Sequence, residues 1–189
     1  MAPGETSFLT FRLHGTIPAA TGRELAAELR QAQQSGADRR RAQKQFFARF
    51  DAVLDQAPIG QRYFEQEKIA EVLAGEIMML EELGFVVHAF AILPNHAHVV
   101  LHLPARSRLS FAKAIDLLHL RTDTNCRRLV RPRLPPEAKF WQAGWFDYAI
   151  TDEAELARIV AYVRGNARAA GLPPRFQDWP YAGPEIPGA

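Results

Sequence analysis

From Phe8 to Leu13 apolar and polar side chains alternate, with Phe8, Thr10 and Arg12 on one face and Leu9, Phe11 and Leu13 on the other. That period of two, in β-favouring residues, predicts a strand. The segment from Gly22 to about Leu54 reads differently: it is polar and helix-favouring, is interrupted at Ser35-Gly36, and ends in a loop at Pro58 and Gly60. Next, Ile69, Val72, Leu73, Ile77 and Leu80 form an apolar stripe at helical spacing, which predicts a helix over 65–83 ended by Gly84. Two β-rich runs follow, Phe85–Leu93 and Ala97–Leu103, and the Pro94-Asn95 pair between them predicts an antiparallel hairpin.

Pro104 stops the second run. A helix is expected over 109–129, with Phe111, Ile115, Leu118, Thr122 and Leu129 on its apolar side and Lys113, Thr124, Arg127 and Arg128 opposite. Prolines 132, 135 and 136 make a loop, and Trp145–Ile150 reads as another strand. Thr151 is placed to cap a last helix over 152–170, whose acidic first turn suits the positive end of its dipole, and Gly171 stops it. An extended tail is expected over 173–189.

The order strand, helix, strand, strand, helix, strand is the ferredoxin-like pattern of an α+β domain, an antiparallel sheet with helices packed on it. Residues 22–61 are then a helical insertion without an assigned role. The additional helix at the carboxyl end is expected on the face of the sheet that the first two leave open.

Composition changes little in this picture. With 189 residues, 48% of them hydrophobic and 23% charged, the chain predicts one soluble globular domain over 1–189. The single cysteine, Cys126, can form neither an internal disulfide nor a multi-cysteine zinc site, which favours a reducing compartment. No apolar stretch approaches the ~20 residues of a membrane span, so a cytoplasmic protein without a membrane partner is expected.

Charge matters more by place than by sum. The formal net charge is only +2, yet Pro104–Arg133 holds eight basic residues against two acidic ones, a local +6. A smaller focus lies at Arg39, Arg40, Arg41, Lys44 and Arg49. Such runs are commonly solvated helix faces, and equally suit a polyanion.

The residues able to do chemistry are few. His96 and His98, two apart in a strand, project from one face within reach of a single ion. His102 shares their parity but lies roughly 13 Å along the strand, too far to join them. On the last helix Tyr162 and Asn166, four apart, sit together at the edge of the apolar stripe. A tyrosine there either packs its ring and wets its hydroxyl or, beside a metal, serves as a nucleophile.

Three elements in order carry a resemblance: Ala91-Ile92-Leu93-Pro94-Asn95-His96-Ala97-His98-Val99-Val100, then Phe140-Trp141-Gln142, then Tyr162-Val163-Arg164-Gly165-Asn166 with Ala170-Gly171-Leu172. Together they resemble the REP-associated tyrosine transposases, a branch of the HUH single-strand DNA endonucleases. Phe8–Ile17 and Asp178-Trp179-Pro180 extend the likeness over most of the chain. The chain departs from the pattern at Ala167, where proline commonly follows the asparagine, and at the small Ala97 between the histidines.

The resemblance implies that His96, His98 and Asn166 hold a divalent metal, Mg2+ or Mn2+, and that Tyr162 attacks single-stranded or hairpin DNA of palindromic repeats. A 5′-phosphotyrosine and a free 3′-hydroxyl would result. A metal-held phosphate is a better electrophile, which makes that chemistry intelligible, although the sequence offers no obvious base for Tyr162. A catalytically silent DNA-binding descendant is the alternative. By the same resemblance the protein is a monomer or homodimer, associated with the nucleoid when bound to DNA. Arg106, Arg108, Lys113, Arg121, Arg127 and Arg128 are the expected phosphate contacts, and Trp141 is a candidate for base stacking or for the core.

Overall fold

The alternating run near the amino terminus becomes an inner strand, and its two faces meet different partners. The computed structural model describes residues 2–34, 38–56, 60–107 and 109–184. In it β1 (Thr6–Arg12) lies between β4 (Phe146–Ile150) and β3 (His96–His102), and β3 pairs in turn with β2 (Val86–Ile92). Every pairing is antiparallel, so the order β4-β1-β3-β2 is that of the expected ferredoxin-like sheet.

The helices divide between the faces. α3 (Glu67–Glu82) and α4 (Phe111–Leu129) cover one face, where Leu9, Phe11, Val99 and Leu101 meet Ile69, Leu73, Ile77, Ile115 and Leu118 in the larger core. Buried positions on α3 recur at 69, 73, 77 and 80, the period of a helix with one apolar side. Gly84, at φ +89°, turns the chain out of α3, a conformation that a side chain would oppose.

α5 (Glu153–Ala169) covers the other face, as expected, through Val163 with Leu156, Ile159 and Val160 beside Phe8, Ala89, Ala91 and Val100. It is not alone there. The insertion folds as α1 (Ala19–Gln34) and α2 (Arg39–Asp55), and α2 brings Phe47 onto the same core. The expected break at Ser35-Gly36 and the loop proline Pro58 lie outside the described residues.

Three details depart from the sequence reading. A register shift between Val87 and Ala89 lets Val87 and Phe90 share the larger core although they are three apart, which strict alternation would forbid. The cap of α5 is Asp152 rather than Thr151: Asp152 Oδ1 accepts the Glu155 amide at 2.8 Å, and Glu155 Oε2 accepts the Thr151 amide at 3.2 Å. The tail is not simply extended. It makes a short turn at Pro174–Gln177 and adds β5 (Ala182–Gly183) as a fifth strand beside β2, while 185–189 lie outside the described residues.

Candidate active site

Strand parity and register place the two histidines. His98 lies across from Thr10 and His96 across from Arg12, all on the face that α2 and α5 cover. Each ring is fixed by its Nδ1. That of His98 is 2.9 Å from Thr10 Oγ1, and that of His96 is 2.6 Å from Asn95 Oδ1. The same Asn95 donates through Nδ2 to the Leu54 carbonyl at 3.1 Å, tying the hairpin turn to the end of α2. Both Nε2 atoms therefore face the space between sheet and helices, the orientation that a hydrogen-bond partner on the other ring nitrogen imposes on metal-binding imidazoles.

α2 completes the arrangement with Asp51. Its Oδ1 lies 3.1 Å from His98 Nε2 and 3.8 Å from His96 Nε2, while Asp55 Oδ1 is 4.0 Å from His96 Nε2. The Tyr162 hydroxyl donates to Asp51 Oδ2, and Asn166 Nδ2 donates to the Tyr162 oxygen at 3.1 Å. The Tyr162 ring stands 6.0 Å from both the Phe47 and the His98 rings, and 36% of the residue remains exposed. Two elements distant in sequence, β3 and α5, thus converge on one carboxylate of α2.

The donor set fits a divalent cation. One ligand atom each from Asp51, His96 and His98 lies within 4.8 Å of the others, and all three residues are buried. Among the described residues His96 Nε2, His98 Nε2, Asp51 Oδ1 and Asn166 Oδ1 have no hydrogen-bond partner, the 3.1 Å approach of His98 to Asp51 being too poorly aligned to count. Buried polar atoms left unsatisfied are costly, and a shared ion would satisfy them together.

The electrostatics agree with this crowding. Burial, helped by the neighbouring His98, pushes the His96 imidazole down to about 3, so it is neutral and able to ligate at neutral pH. Burial alone would raise the Asp51 carboxyl, but His98, His96 and the Tyr162 hydroxyl outweigh it and hold the group below its ordinary value. Asp55, desolvated and next to Asp51, is pushed up to about 6. Burial and the adjacent Asp51 charge also push the Tyr162 phenol well up, which keeps the proton on the hydroxyl.

The structure therefore brings His96, His98, Tyr162 and Asn166 together. It does not bring the basic run to them. α4 lies on the opposite face of the sheet, and Lys113 and Arg128 are exposed there. Arg121 pairs with Glu76 at 2.8 Å, while Arg127 pairs with Asp123 and donates to the Pro135 and Ala138 carbonyls, bracing the proline loop. Arg106 is exposed after β3, and Arg108 lies outside the described residues. Trp141 belongs to the larger core, its indole donating to Thr122 Oγ1 at 2.9 Å, so its ring offers no open face for stacking. His102 bonds Thr6 Oγ1 instead.

Sequence reasoning missed Asp51 and Asp55. Their signal was two aspartates one helical turn apart in a run otherwise rich in phenylalanine and leucine, an acidic pair beside an apolar helix side. Three residues of the second basic focus are paired: Arg40 and Lys44 both meet Glu155 of α5, and Arg49 meets Glu28 of α1.

No protein-family model matches the chain. A Haemophilus influenzae protein assigned to the REP-associated tyrosine transposases is 28% identical over 109 residues, covering 54% of this chain and 60% of that protein. The chain thus matches less than two thirds of that relative's length. A solved REP-associated tyrosine transposase bound to a REP hairpin shares the fold, with a TM-score of 0.52 at 17% identity over 95% of this chain and 76% of that one. No helix among the described residues is long and apolar enough to cross a membrane. Over the matched portion the chain is similar in sequence to a REP-associated tyrosine transposase, and over nearly its whole length it shares the fold of one.

Proposed function

We propose that the protein is a metal-dependent tyrosine nuclease and strand transferase acting on single-stranded or hairpin DNA. The observation that carries this reading is the convergence of the Tyr162 hydroxyl and both imidazole Nε2 atoms on Asp51. His96, His98 and Asp51, with the free amide oxygen of Asn166 beside them, are the residues that would hold the ion. Bound there, Mg2+ or Mn2+ supplies positive charge that neutralises a phosphodiester oxygen, and two nitrogen ligands suit Mn2+ well.

The chain's own groups do the rest. Tyr162 Oη forms the new bond to phosphorus while the bond from phosphorus to the 3′-oxygen breaks, leaving a 5′-phosphotyrosine and a 3′-hydroxyl. The tyrosine proton is already hydrogen-bonded to Asp51 Oδ2, which is the acceptor at hand, and the departing 3′-oxygen takes a proton from solvent. Asn166 Nδ2 fixes the phenol oxygen from its other side. Phosphate is exchanged for phosphate, so the same 3′-hydroxyl, or another, reverses the step without ATP.

The test is incubation with Mn2+ and a single-stranded oligonucleotide carrying the palindromic repeats that flank the gene, followed by denaturing electrophoresis. A covalent adduct that vanishes in Tyr162→Phe is expected. Cleavage that survives Tyr162→Phe would sink the proposal and point to water as the nucleophile. Binding with no cleavage by the parent would favour the silent DNA-binding alternative.

A further inference from the structure

The insertion forms one wall of two clefts that meet at Arg12. The first, about 370 Å³, lies between α2 and the residues leading into β4. Phe46 and Phe50 wall one side, with Trp145 and Phe146 among the residues facing them. The Phe146 ring stacks at 5.9 Å on Phe46 and at 6.4 Å on Phe50, 27° from parallel in each case. The second cleft, about 610 Å³, runs beside α1, and its described lining carries His14, Arg23 and Arg30 together with Arg12, and no carboxylate.

Arg12 lines both clefts and stands on β1 directly across from His96. Its guanidinium carbon is 5.8 Å from the centre of the Phe50 ring, and its buried Nη1 has no hydrogen-bond partner among the described residues. A half-buried cation without a counter-charge among the described residues is an arrangement that an anion relieves. Thr10, in the wall of the first cleft, is the residue that orients His98, so the aromatic pocket adjoins the candidate catalytic centre. Its size suits one nucleotide. Aromatic faces beside a basic groove are what sequence-tolerant binding of an unpaired strand requires, whereas paired bases cannot present their faces.

Resting on the function proposed above, we infer that the two clefts form the path of an unpaired DNA strand beside the catalytic centre. One unstacked base lies between the Phe46 and Phe50 wall and the facing Trp145 with its phosphate at Arg12, and the next phosphates follow Arg23 and Arg30. Asp147, at the rim of the aromatic cleft, faces the base rather than the backbone, because a carboxylate there would repel a phosphate. The insertion is then a strand-binding arm.

The test reads binding apart from cleavage. Fluorescence anisotropy would be followed across a salt series for the full chain in a Tyr162→Phe background with Mn2+ present. The probes are a labelled oligothymidine strand and a blunt duplex of equal length. The single strand should bind more tightly. Phe50→Ala should weaken it about tenfold with no change in salt slope, and Phe50→Trp should restore it. The exposed pair Arg23→Gln with Arg30→Gln should instead lower the slope of log affinity against log salt by about 1.4.

Unchanged affinity and slope in both sets of variants, or preference for duplex, overturns the path. A parent that binds neither probe overturns it too. In each of these cases a Tyr162-dependent adduct with the repeat oligonucleotide leaves the catalytic reading standing, so the two can fail separately.

Discussion

The two oxygens of Asp51 face different partners, Oδ1 the pair of imidazoles and Oδ2 the tyrosine hydroxyl. A single carboxylate thereby fixes the distance between the proposed metal ligands and the proposed nucleophile. Replacing it by its isosteric amide, Asp51→Asn, keeps an acceptor for Tyr162 and removes the charge. Mn2+ affinity, read by titration calorimetry, should fall at least about tenfold, the scale on which even supporting groups around a metal act. Unchanged affinity would place the ion elsewhere. The pairings of His96 with His98 and of Tyr162 with Asn166 were legible in the sequence because strand and helix periods alone put each pair on one face. Asp51 was not, since no local period relates a helix at 39–55 to a strand at 96–102.

At the scale of elements, α2 and α5 are held together by Glu155. Only 3% exposed, it meets Arg40 and Lys44 of α2, accepts the Tyr148 hydroxyl at 2.7 Å, and accepts the Thr151 amide. Burial by itself would raise its pKa, but the Tyr148 and Lys44 hydrogen bonds lead the contacts that overcome this and hold it at about 2, against an ordinary 4.5. A carboxylate with a lowered folded-state pKa contributes stability that is complete above the unfolded value and is lost as pH falls toward the folded one. Glu155→Gln should therefore cost roughly 1–3 kcal/mol at pH 7 by urea denaturation. The gap to the parent should close between about pH 4.5 and pH 2. A gap that is constant across that range would show that shape rather than charge is what Glu155 contributes.

The whole molecule has two cores with different tasks. The larger, between the sheet and α3 with α4, is apolar and remote from the candidate chemistry; the smaller, under α2 and α5, borders the candidate site, Phe8 against His98 and Phe47 against Tyr162. Leu73→Ala, at a fully buried position of the larger core, should lower stability by about 2–5 kcal/mol in urea while leaving the Mn2+ affinity of the folded protein unchanged. A matching loss of metal affinity would mean that the two faces are coupled through the sheet. The near-neutral net charge also takes on a different meaning at this scale. The basic run on α4 faces away from the site, whereas Arg12, Arg23 and Arg30, scattered in sequence, gather at the two clefts.

The sequence by itself determined the elements, the ferredoxin-like order and the pairing of histidines on one strand and of tyrosine with asparagine on one helix. Each of these follows from residues only a few positions apart, where backbone period fixes geometry. Tertiary structure alone decided that the insertion returns to the sheet beside the last helix and delivers Asp51. It also decided that Trp141 packs inside, that the tail adds a strand, and which cations line the two clefts. Those outcomes depend on contacts between segments far apart along the chain, where what is buried together, rather than any local spacing, selects the arrangement.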